Sequence, residues 1–300
     1  MKVLSTGGTG FLGRHVRAHV ARVAPEVNVQ SIGRDACDLV EGDVATMLAQ
    51  ALPEVVIHLA GRISGAPESI TRDNVPGARR LFEAMATLVQ KPKLVLVSST
   101  AVYGVGGTQE KPVDETFVPQ PRGAYAEAKL AVEQLGQAYA QAGGHGVIVR
   151  LSNPIGPGMS TSLLCGTIAE QVLSIELGEH EPVLSLYDTT PVRDFLDVSD
   201  CASAIWHLVQ HGEAGEIYNV AAGASMSVKE VVDIFISEAK AAKIEVRCDD
   251  SASRRSPIPK QWVSNIRLQG TGWRIESNVR QAIHRLLSEG RDARRARISS

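Results

Sequence analysis

The apolar positions of the chain fall into short continuous runs that alternate with amphipathic stretches. The run "EVVIHLAG" at 54–61 is continuous, as in a strand buried on both faces, whereas "GFLGRHVRAHVARV" at 10–23 has helical spacing. The predicted strands lie at 2–7, 27–33, 54–61, 93–100 and 146–153, and the predicted helices lie at 10–23, near 43–51, at 77–89 and at 124–142. This alternation predicts an α/β fold with a Rossmann-type, doubly wound parallel sheet and right-handed crossovers.

Beyond the fifth predicted strand the pattern changes. Residues 154–190 are marked by Gly and Pro and contain a helical stretch near 162–177, and residues 223–288 mix helices with short strands. Between them, "RDFLDVSDCASAIWHLVQ" and "GEIYNVAAG" predict one more helix and one more strand of the sheet. We therefore predict a Rossmann-type domain at 1–154 plus 191–222 and a smaller mixed α/β lobe at 155–190 plus 223–300.

Composition narrows the class of protein. The 300 residues are 44% hydrophobic and 21% charged, with a net charge of −2, which predicts a soluble globular chain with no electrostatic attraction to nucleic acid or membranes. No apolar run reaches the ~18 residues of a membrane span. The four cysteines are far apart and show neither Cys-x-x-Cys nor Cys/His spacing, so we expect a cytoplasmic protein without a metal site or disulfides.

The stretch "TGGTGFLG" places Gly7, Gly10 and Gly13 between the first predicted strand and the first predicted helix. Glycines at such a turn adopt positive φ and let the backbone approach a pyrophosphate. The helix that follows directs N–H groups and the positive end of its dipole toward the phosphates. This placement predicts a dinucleotide site, and a tight turn without a ligand is the alternative.

The end of the second strand, "SIGRD", bears on which dinucleotide binds. A carboxylate at this point hydrogen-bonds the adenosine ribose, whereas an arginine binds a 2′-phosphate through its planar fork. Gly33 and Arg34 occupy the expected position, which favours NADP(H). The alternative, NAD(H), holds if Asp35 faces the ribose instead.

Tyr125 and Lys129 lie at positions i and i+4 of a predicted helix, "GAYAEAKLAVEQL". Their side chains therefore rise on one helix face. Taken alone, the pair is better explained by a half-buried tyrosine beside a lysine whose stem packs against it.

The ordered set of motifs decides between these interpretations. "TGGTGFLG", "VIHLAG", "VSSTAVYG", "YAEAK", "RLSNPIGPG", "RDFLDV", "IYNVAAG" and "GTGW" follow one another over roughly residues 2–288. In this order they resemble the extended short-chain dehydrogenases/reductases, and more narrowly the NAD(P)-dependent epimerase/dehydratase group that acts on nucleotide sugars.

The resemblance implies roles for individual residues. Tyr125 is the general acid/base, Lys129 anchors the nicotinamide ribose and lowers the Tyr125 pKa, and Ser99 hydrogen-bonds the reacting oxygen. The implied cofactor contacts are Gly7, Gly10, Phe11, Leu12, Gly13, Arg34, Asp43, Val44, Leu59, Ala60, Gly61, Asn74, Tyr125 and Lys129. The implied substrate contacts are Ser99, Thr100, Asn153, Arg193, Arg254 and Arg255.

The resemblance also limits the reaction. Dehydratases of the group follow the Ser/Thr with an Asp-Glu pair, but Thr100 and Ala101 stand here, and alanine cannot transfer protons. Gly33 and Arg34 favour a net reduction by NADPH, and the resemblance of "RDFLDV", "HGEAGEIYNV" and "GTGW" implies an NADPH-dependent 4-ketoreductase of nucleotide-activated 4-keto-6-deoxyhexoses. An NAD-dependent epimerase and a non-catalytic cofactor sensor are the alternatives. The expected partners are a nucleotide-diphosphate sugar and a second copy of the chain, paired through helices 77–89 and 124–142.

Overall fold

The computed structural model describes residues 1–108, 111–241, 243–248 and 258–298. Its strands are β1 (Lys2–Thr6), β2 (Asn28–Ile32), β3 (Val55–His58), β4 (Lys93–Ser99), β5 (Gly146–Leu151), β6 (Asn153–Ile155), β7 (Val183–Leu186), β8 (Val192–Asp197), β9 (Ile217–Val220), β10 (Ser225–Ser227) and β11 (Glu245–Cys248). Its helices are α1 (Phe11–Val23), α2 (Val44–Ala51), α3 (Pro67–Thr87), α4 (Ala124–Gln141), α5 (Leu164–Glu176), α6 (Val198–His211), α7 (Val228–Glu238), α8 (Ile266–Gly270) and α9 (Val279–Ile298). A 3₁₀ segment, Thr100–Thr108, follows β4.

A parallel sheet of the order β2-β1-β3-β4-β5-β9 forms the larger part of the described chain. Helices cover both faces, and alternate residues of β4 face opposite layers. Val95 and Val97 pack in the core beneath α1 and α6, whereas Leu94 and Leu96 pack beneath α2, α3 and α4. The predicted doubly wound α/β fold is confirmed. The strand order reverses at β1, so the carboxyl ends of β1 and β3 border the crevice where this fold binds ligands.

A smaller lobe packs over the carboxyl edge of this sheet. Its strands form a sheet of the order β10-β8-β6 and a parallel pair of β11 with β7. Helices α5, α7 and α9 enclose its separate apolar core, in which Phe235 and Leu184 are fully buried. Among the described residues, the structure contains no helix that combines the length and apolar character of a membrane span.

The start of one helix differs from the expectation. The predicted helix 77–89 begins earlier, at Pro67, and continues through Pro76. Proline at the first helical position is favourable, and an interior proline normally ends a helix, which is why the sequence indicated a later start. The turn before Pro76 is held by Asn74, whose side-chain amide donates to the Ile70 carbonyl.

The domain division remains a prediction, and the strand pairing modifies it. Strand β8, within the predicted segment 191–222, pairs with β6 and β10 of the smaller lobe. Conversely, Leu268 and Trp273, within the predicted lobe segment 223–300, are buried in the core of the large sheet. The chain therefore crosses between the two parts more often than its pattern indicates.

Candidate active site

A cleft of about 1230 Å³ lies between the carboxyl edge of the large sheet and the smaller lobe. Its walls include the loop after β1, the ends of β2, β3 and β4, the start of α4 and residues of β8. Pockets for one small molecule typically enclose about 300–1,000 Å³. The cleft therefore has room for more than one ligand, such as a dinucleotide beside a substrate.

The glycine loop, residues 6–13, forms one wall of the cleft. Gly7 has a φ of +69°, and a Cβ atom there would lie 2.7 Å from the backbone nitrogen of Ala60. A Cβ atom at Gly13 would lie 2.5 Å from the Gly7 carbonyl oxygen. Gly10 caps α1 without a side chain, so no side chain of the cap covers the first N–H groups of the helix. The loop fits a dinucleotide pyrophosphate in both shape and donors.

The end of β2 contributes an arginine to the cleft. Gly33 and Arg34 line the wall, whereas Asp35 is not among its lining residues. Arg34 donates from Nη2 to Asp73 Oδ2 over 3.2 Å, and its Nε lies 3.6 Å from Asp38 Oδ2. This placement supports the prediction that Arg34 binds the 2′-phosphate of NADP(H), over the alternative in which Asp35 faces the ribose of NAD(H).

Asp43 and Val44, which were predicted to contact the cofactor, lie outside the cleft lining, and this prediction is corrected. Asp43 is the N-cap of α2: its carboxylate accepts from the backbone N–H and the hydroxyl of Thr46, at 3.0 and 2.7 Å. Val44 is buried in the core beneath that helix. The cleft wall is formed instead by the preceding pair, Asp38 and Leu39. The stretch "CDLVEGDV" holds two Asp-apolar pairs, and a cap signal before α2 was available to tell them apart.

The loop after β3 forms the opposite wall. Leu59, Ala60 and Gly61 line the cleft. Asn74 is buried behind them, where its side-chain amide donates to the Arg62 carbonyl over 2.9 Å. A Cβ atom at Gly61 would lie 2.3 Å from Asn74 Oδ1 and 3.5 Å from Lys129 Nζ. Asn74 thus supports the cleft wall from behind and does not line the cleft.

Ser99, Tyr125 and Lys129 come together at the centre of the cleft. Ser99 ends β4 and Tyr125 lies in the first turn of α4, so both side chains line the same cleft. Lys129 lies one turn later, with Nζ donating to the Val97 carbonyl over 3.1 Å and 6.0 Å from the Tyr125 ring centroid. The structure therefore assembles the three predicted catalytic side chains.

The electrostatics of this group differ from the expectation in one respect. Burial raises the pKa of Tyr125, and the neighbouring Ser99 hydroxyl opposes that rise. Burial lowers the pKa of Lys129 to about 8, against an opposing effect of Glu133. The pKa of Tyr125 is therefore raised and not lowered as expected, because burial disfavours the charged forms of both side chains.

A buried ion pair lies behind α4 and was not predicted from the sequence. Arg150 of β5 donates to the Glu133 carboxylate over 2.8, 3.1 and 3.2 Å, and both side chains are almost fully buried. The Arg150 guanidinium lies 4.8 Å from the Tyr103 ring centroid, and Tyr103 donates its hydroxyl to Asn219. Glu133 follows Lys129 by one helical turn, which was the available signal. The network joins α4 to the segment after Ser99.

The smaller lobe supplies the remaining polar side chains of the cleft. Asn153 donates to the Asp194 carbonyl over 2.8 Å, and Arg193 donates to the Ile258 carbonyl over 2.7 Å. Gln261, which the sequence did not indicate, donates to the Thr100 carbonyl over 2.8 Å. The predicted residues that line the cleft are Gly7, Gly10, Phe11, Leu12, Gly13, Arg34, Leu59, Ala60, Gly61, Ser99, Thr100, Tyr125, Lys129, Asn153 and Arg193. The predicted contacts Arg254 and Arg255 lie outside the described residues.

Known proteins that are similar to this chain belong to the group that its motifs resemble. The model of the NAD dependent epimerase/dehydratase family matches residues 3–221. GDP-6-deoxy-D-mannose reductase of Pseudomonas aeruginosa is 32% identical over 297 residues, which cover 96% of each chain. The structure of RMD from Pseudomonas aeruginosa complexed with NADPH has a TM-score of 0.89 and 30% identity, covering 98% of this chain and 100% of that one. UDP-glucose 4-epimerase of Thermus thermophilus in complex with NAD has a TM-score of 0.85 and 26% identity over 98% and 100%.

Proposed function

The chain belongs to the NAD-dependent epimerase/dehydratase family, and from this premise we propose that it is an NADPH-dependent reductase of a nucleotide-activated 4-keto-6-deoxyhexose. The observation that carries the proposal is that Ser99, Tyr125 and Lys129 line one cleft together with the glycine loop. A relative that is a GDP-sugar reductase, and a similar structure in complex with NADPH, support the same choice of reaction and cofactor.

In this proposal Ser99 and Tyr125 bind the C4 carbonyl oxygen of the substrate through their hydroxyls. A reduced nicotinamide bound along the glycine loop supplies the hydride that C4 accepts. Tyr125 gives its phenolic proton to the oxygen, and its raised pKa suits this direction because burial keeps the phenol protonated before transfer. Lys129, whose pKa is about 8, is largely an ammonium at neutral pH and stabilises the phenolate as it forms.

The smaller lobe binds the nucleotide-diphosphate part of the substrate. Arg193 lines the cleft with its guanidinium half-buried, and Asn153 and Thr100 lie nearby. A fixed arginine and an amide suit a pyrophosphate, which needs positive charge and hydrogen-bond donors. Ala101, which lines the cleft beside Ser99, has no group to move the protons of a dehydration.

We also propose a cytoplasmic homodimer that pairs through α3 and α4, which pack side by side.

Epimerisation is the second candidate, because the fold is also similar to that of a UDP-glucose 4-epimerase in complex with NAD. The two reactions differ in their balance of reductant. A reductase consumes one NADPH for each sugar reduced, whereas an epimerase returns the hydride and consumes none.

The test is the oxidation of NADPH by the purified protein, followed by its absorbance, with GDP- and dTDP-linked 4-keto-6-deoxyhexoses. Substrate-dependent, stoichiometric oxidation is expected, together with a 6-deoxyhexose product. Interconversion of two stereoisomers without loss of NADPH would instead establish the epimerase.

A Tyr125→Phe variant separates catalysis from cofactor sensing. In an enzyme this change lowers kcat by orders of magnitude and leaves cofactor binding intact. A protein that only senses the cofactor shows no turnover before or after the change.

A further inference from the structure

Two arginines from opposite sides of the glycine loop meet at one carboxylate. Arg34 follows β2 and Arg62 follows β3, and these strands flank β1 in the sheet. Arg62 donates from Nε to Asp73 Oδ2 over 2.7 Å, and Arg34 donates from Nη2 to the same oxygen over 3.2 Å. Asp73 lies on α3, and its side chain is 3% exposed beneath these groups. The two guanidinium groups are therefore held close together.

Three arginines and two aspartates meet at this corner of the cleft. Arg72 also donates to Asp73, over 3.0 Å, so that one carboxylate faces three guanidinium groups. The second carboxylate nearby is Asp38, at 3.6 Å from Arg34. The arginines hold the pKa of Asp73 well below its usual range, so the cluster keeps this charge pattern at every physiological pH. Each guanidinium has five N–H donors, so Arg34 and Arg62, which line the cleft, can bind Asp73 and also donate to a further anion.

Only some of these side chains face the cleft. Arg34, Arg62 and Asp73 line it, whereas Arg72 approaches Asp73 from outside the lining. In a Rossmann-type fold the adenosine ribose of the dinucleotide lies at the end of the second strand, next to the position of Arg34. Arg62 was not predicted as a site residue, because nothing in "HLAGRI" indicates that its side chain returns toward β2.

We propose that Arg62 is a second phosphate-binding arginine, which acts with Arg34 to bind the 2′-phosphate of NADPH. The inference rests on the proposed function. Hydrogen bonds to Asp73 already order both guanidinium groups. A phosphate on the ribose can therefore bind two arginines with little further loss of side-chain conformational entropy. NADH carries a hydroxyl at the same position and gains no such charge-assisted bonds. Arg62 therefore sets the cofactor preference without touching the reacting atoms.

The test is isothermal titration calorimetry of the full chain with two fragments of the cofactor. Adenosine 2′,5′-bisphosphate carries the 2′-phosphate, and 5′-AMP lacks it. Arg62→Gln is expected to weaken binding of the bisphosphate by about 10- to 100-fold, the loss typical of one charge-assisted hydrogen-bonding partner, and to change 5′-AMP binding by less than about twofold. Arg72→Gln is the matched control, because it removes the same group from the same carboxylate outside the cleft. It is expected to leave both affinities within about twofold.

The outcomes separate the inference from the proposed function on which it rests. Equal bisphosphate affinity in the wild type and Arg62→Gln overturns the inference alone, provided the wild type prefers the bisphosphate. A wild type that binds 5′-AMP as tightly as the bisphosphate overturns the NADPH assignment and the inference together. If Arg72→Gln loses as much affinity for the bisphosphate as Arg62→Gln, only the net charge matters, and the inference is again overturned. Arg62→Lys keeps the positive charge but lacks the planar guanidinium. Its affinity for the bisphosphate is expected to lie between those of the wild type and Arg62→Gln, and it replaces Arg62→Gln in the test if that variant is unstable.

Discussion

The buried ion pair behind α4 yields a prediction about both stability and chemistry. Glu133 and Arg150 have side chains only 1% and 3% exposed, and three donor–acceptor contacts of 2.8–3.2 Å join them. Arg150→Met leaves the Glu133 carboxylate buried without that partner. Removing one member of a buried pair costs about 3–5 kcal/mol, so the free energy of unfolding should fall by this amount.

Removing both charges has a different expected result. The double variant Glu133→Leu/Arg150→Met replaces the pair with apolar side chains of similar size, which is often neutral or stabilising. Its free energy of unfolding should therefore return to within about 2 kcal/mol of the wild type. Urea unfolding of the three proteins measures these differences. Lys229→Met, which breaks the exposed pair of Lys229 with Asp233, is the control and should leave stability nearly unchanged.

The double variant also tests the link between Glu133 and catalysis. Glu133 opposes the effect of burial on Lys129, so its loss should lower the pKa of Lys129 below its value of about 8. Less ammonium then remains at neutral pH, and kcat near pH 7.5 should fall while KM changes little. The pH profile of kcat is the measurement, and its alkaline limb should move to lower pH. A stable double variant with an unchanged profile would refute the role given to Glu133, and a cost below about 1 kcal/mol for Arg150→Met would refute the energetic reasoning.

Further predictions address the remaining parts of the site. Gly7→Ala introduces a side chain at a φ of +69° and against the opposite loop, so thermal-shift experiments should show a lower Tm and no stabilisation by NADPH. Asp43→Ala removes the α2 cap and should lower Tm without changing cofactor affinity. Leu39→Ala in the cleft wall should instead weaken cofactor binding. The reverse pattern would support the first prediction, which placed Asp43 and Val44 against the cofactor. Burial lowers the pKa of His58 to about 3. The unfolded chain therefore binds a proton that the folded chain does not between pH 6.5 and 3, and stability falls as pH falls through this window. His58→Leu should lose less stability than the wild type from pH 6.5 to 4 in urea titrations at each pH.

The sequence by itself determined the features that depend on neighbours along the chain. Strand β3 is buried throughout and begins with Val55, Val56 and Ile57, because helices cover both faces of its sheet, and this apolar run is visible without the fold. The glycine loop follows from the spacing of Gly7 and Gly13 between a strand and a helix. Tyr125 and Lys129 share one helix face because 3.6 residues make a turn. Each of these follows from local geometry, whereas the roles predicted for Ser99, Tyr125 and Lys129 came from the resemblance of the ordered motifs to a family.

Only the tertiary structure decided which distant residues meet. The sequence offered two Asp-apolar pairs, and the packing of α2 placed Asp38 and Leu39 in the cleft while Asp43 became a cap. Arg62 reaches the carboxylate that Arg34 binds because β2 and β3 flank β1, an order that periodicity along the chain does not reveal. The sign of the Tyr125 pKa shift also came from the fold, since burial depends on every element around the side chain. Local patterns specify elements, whereas contacts between residues far apart in sequence specify charge and recognition.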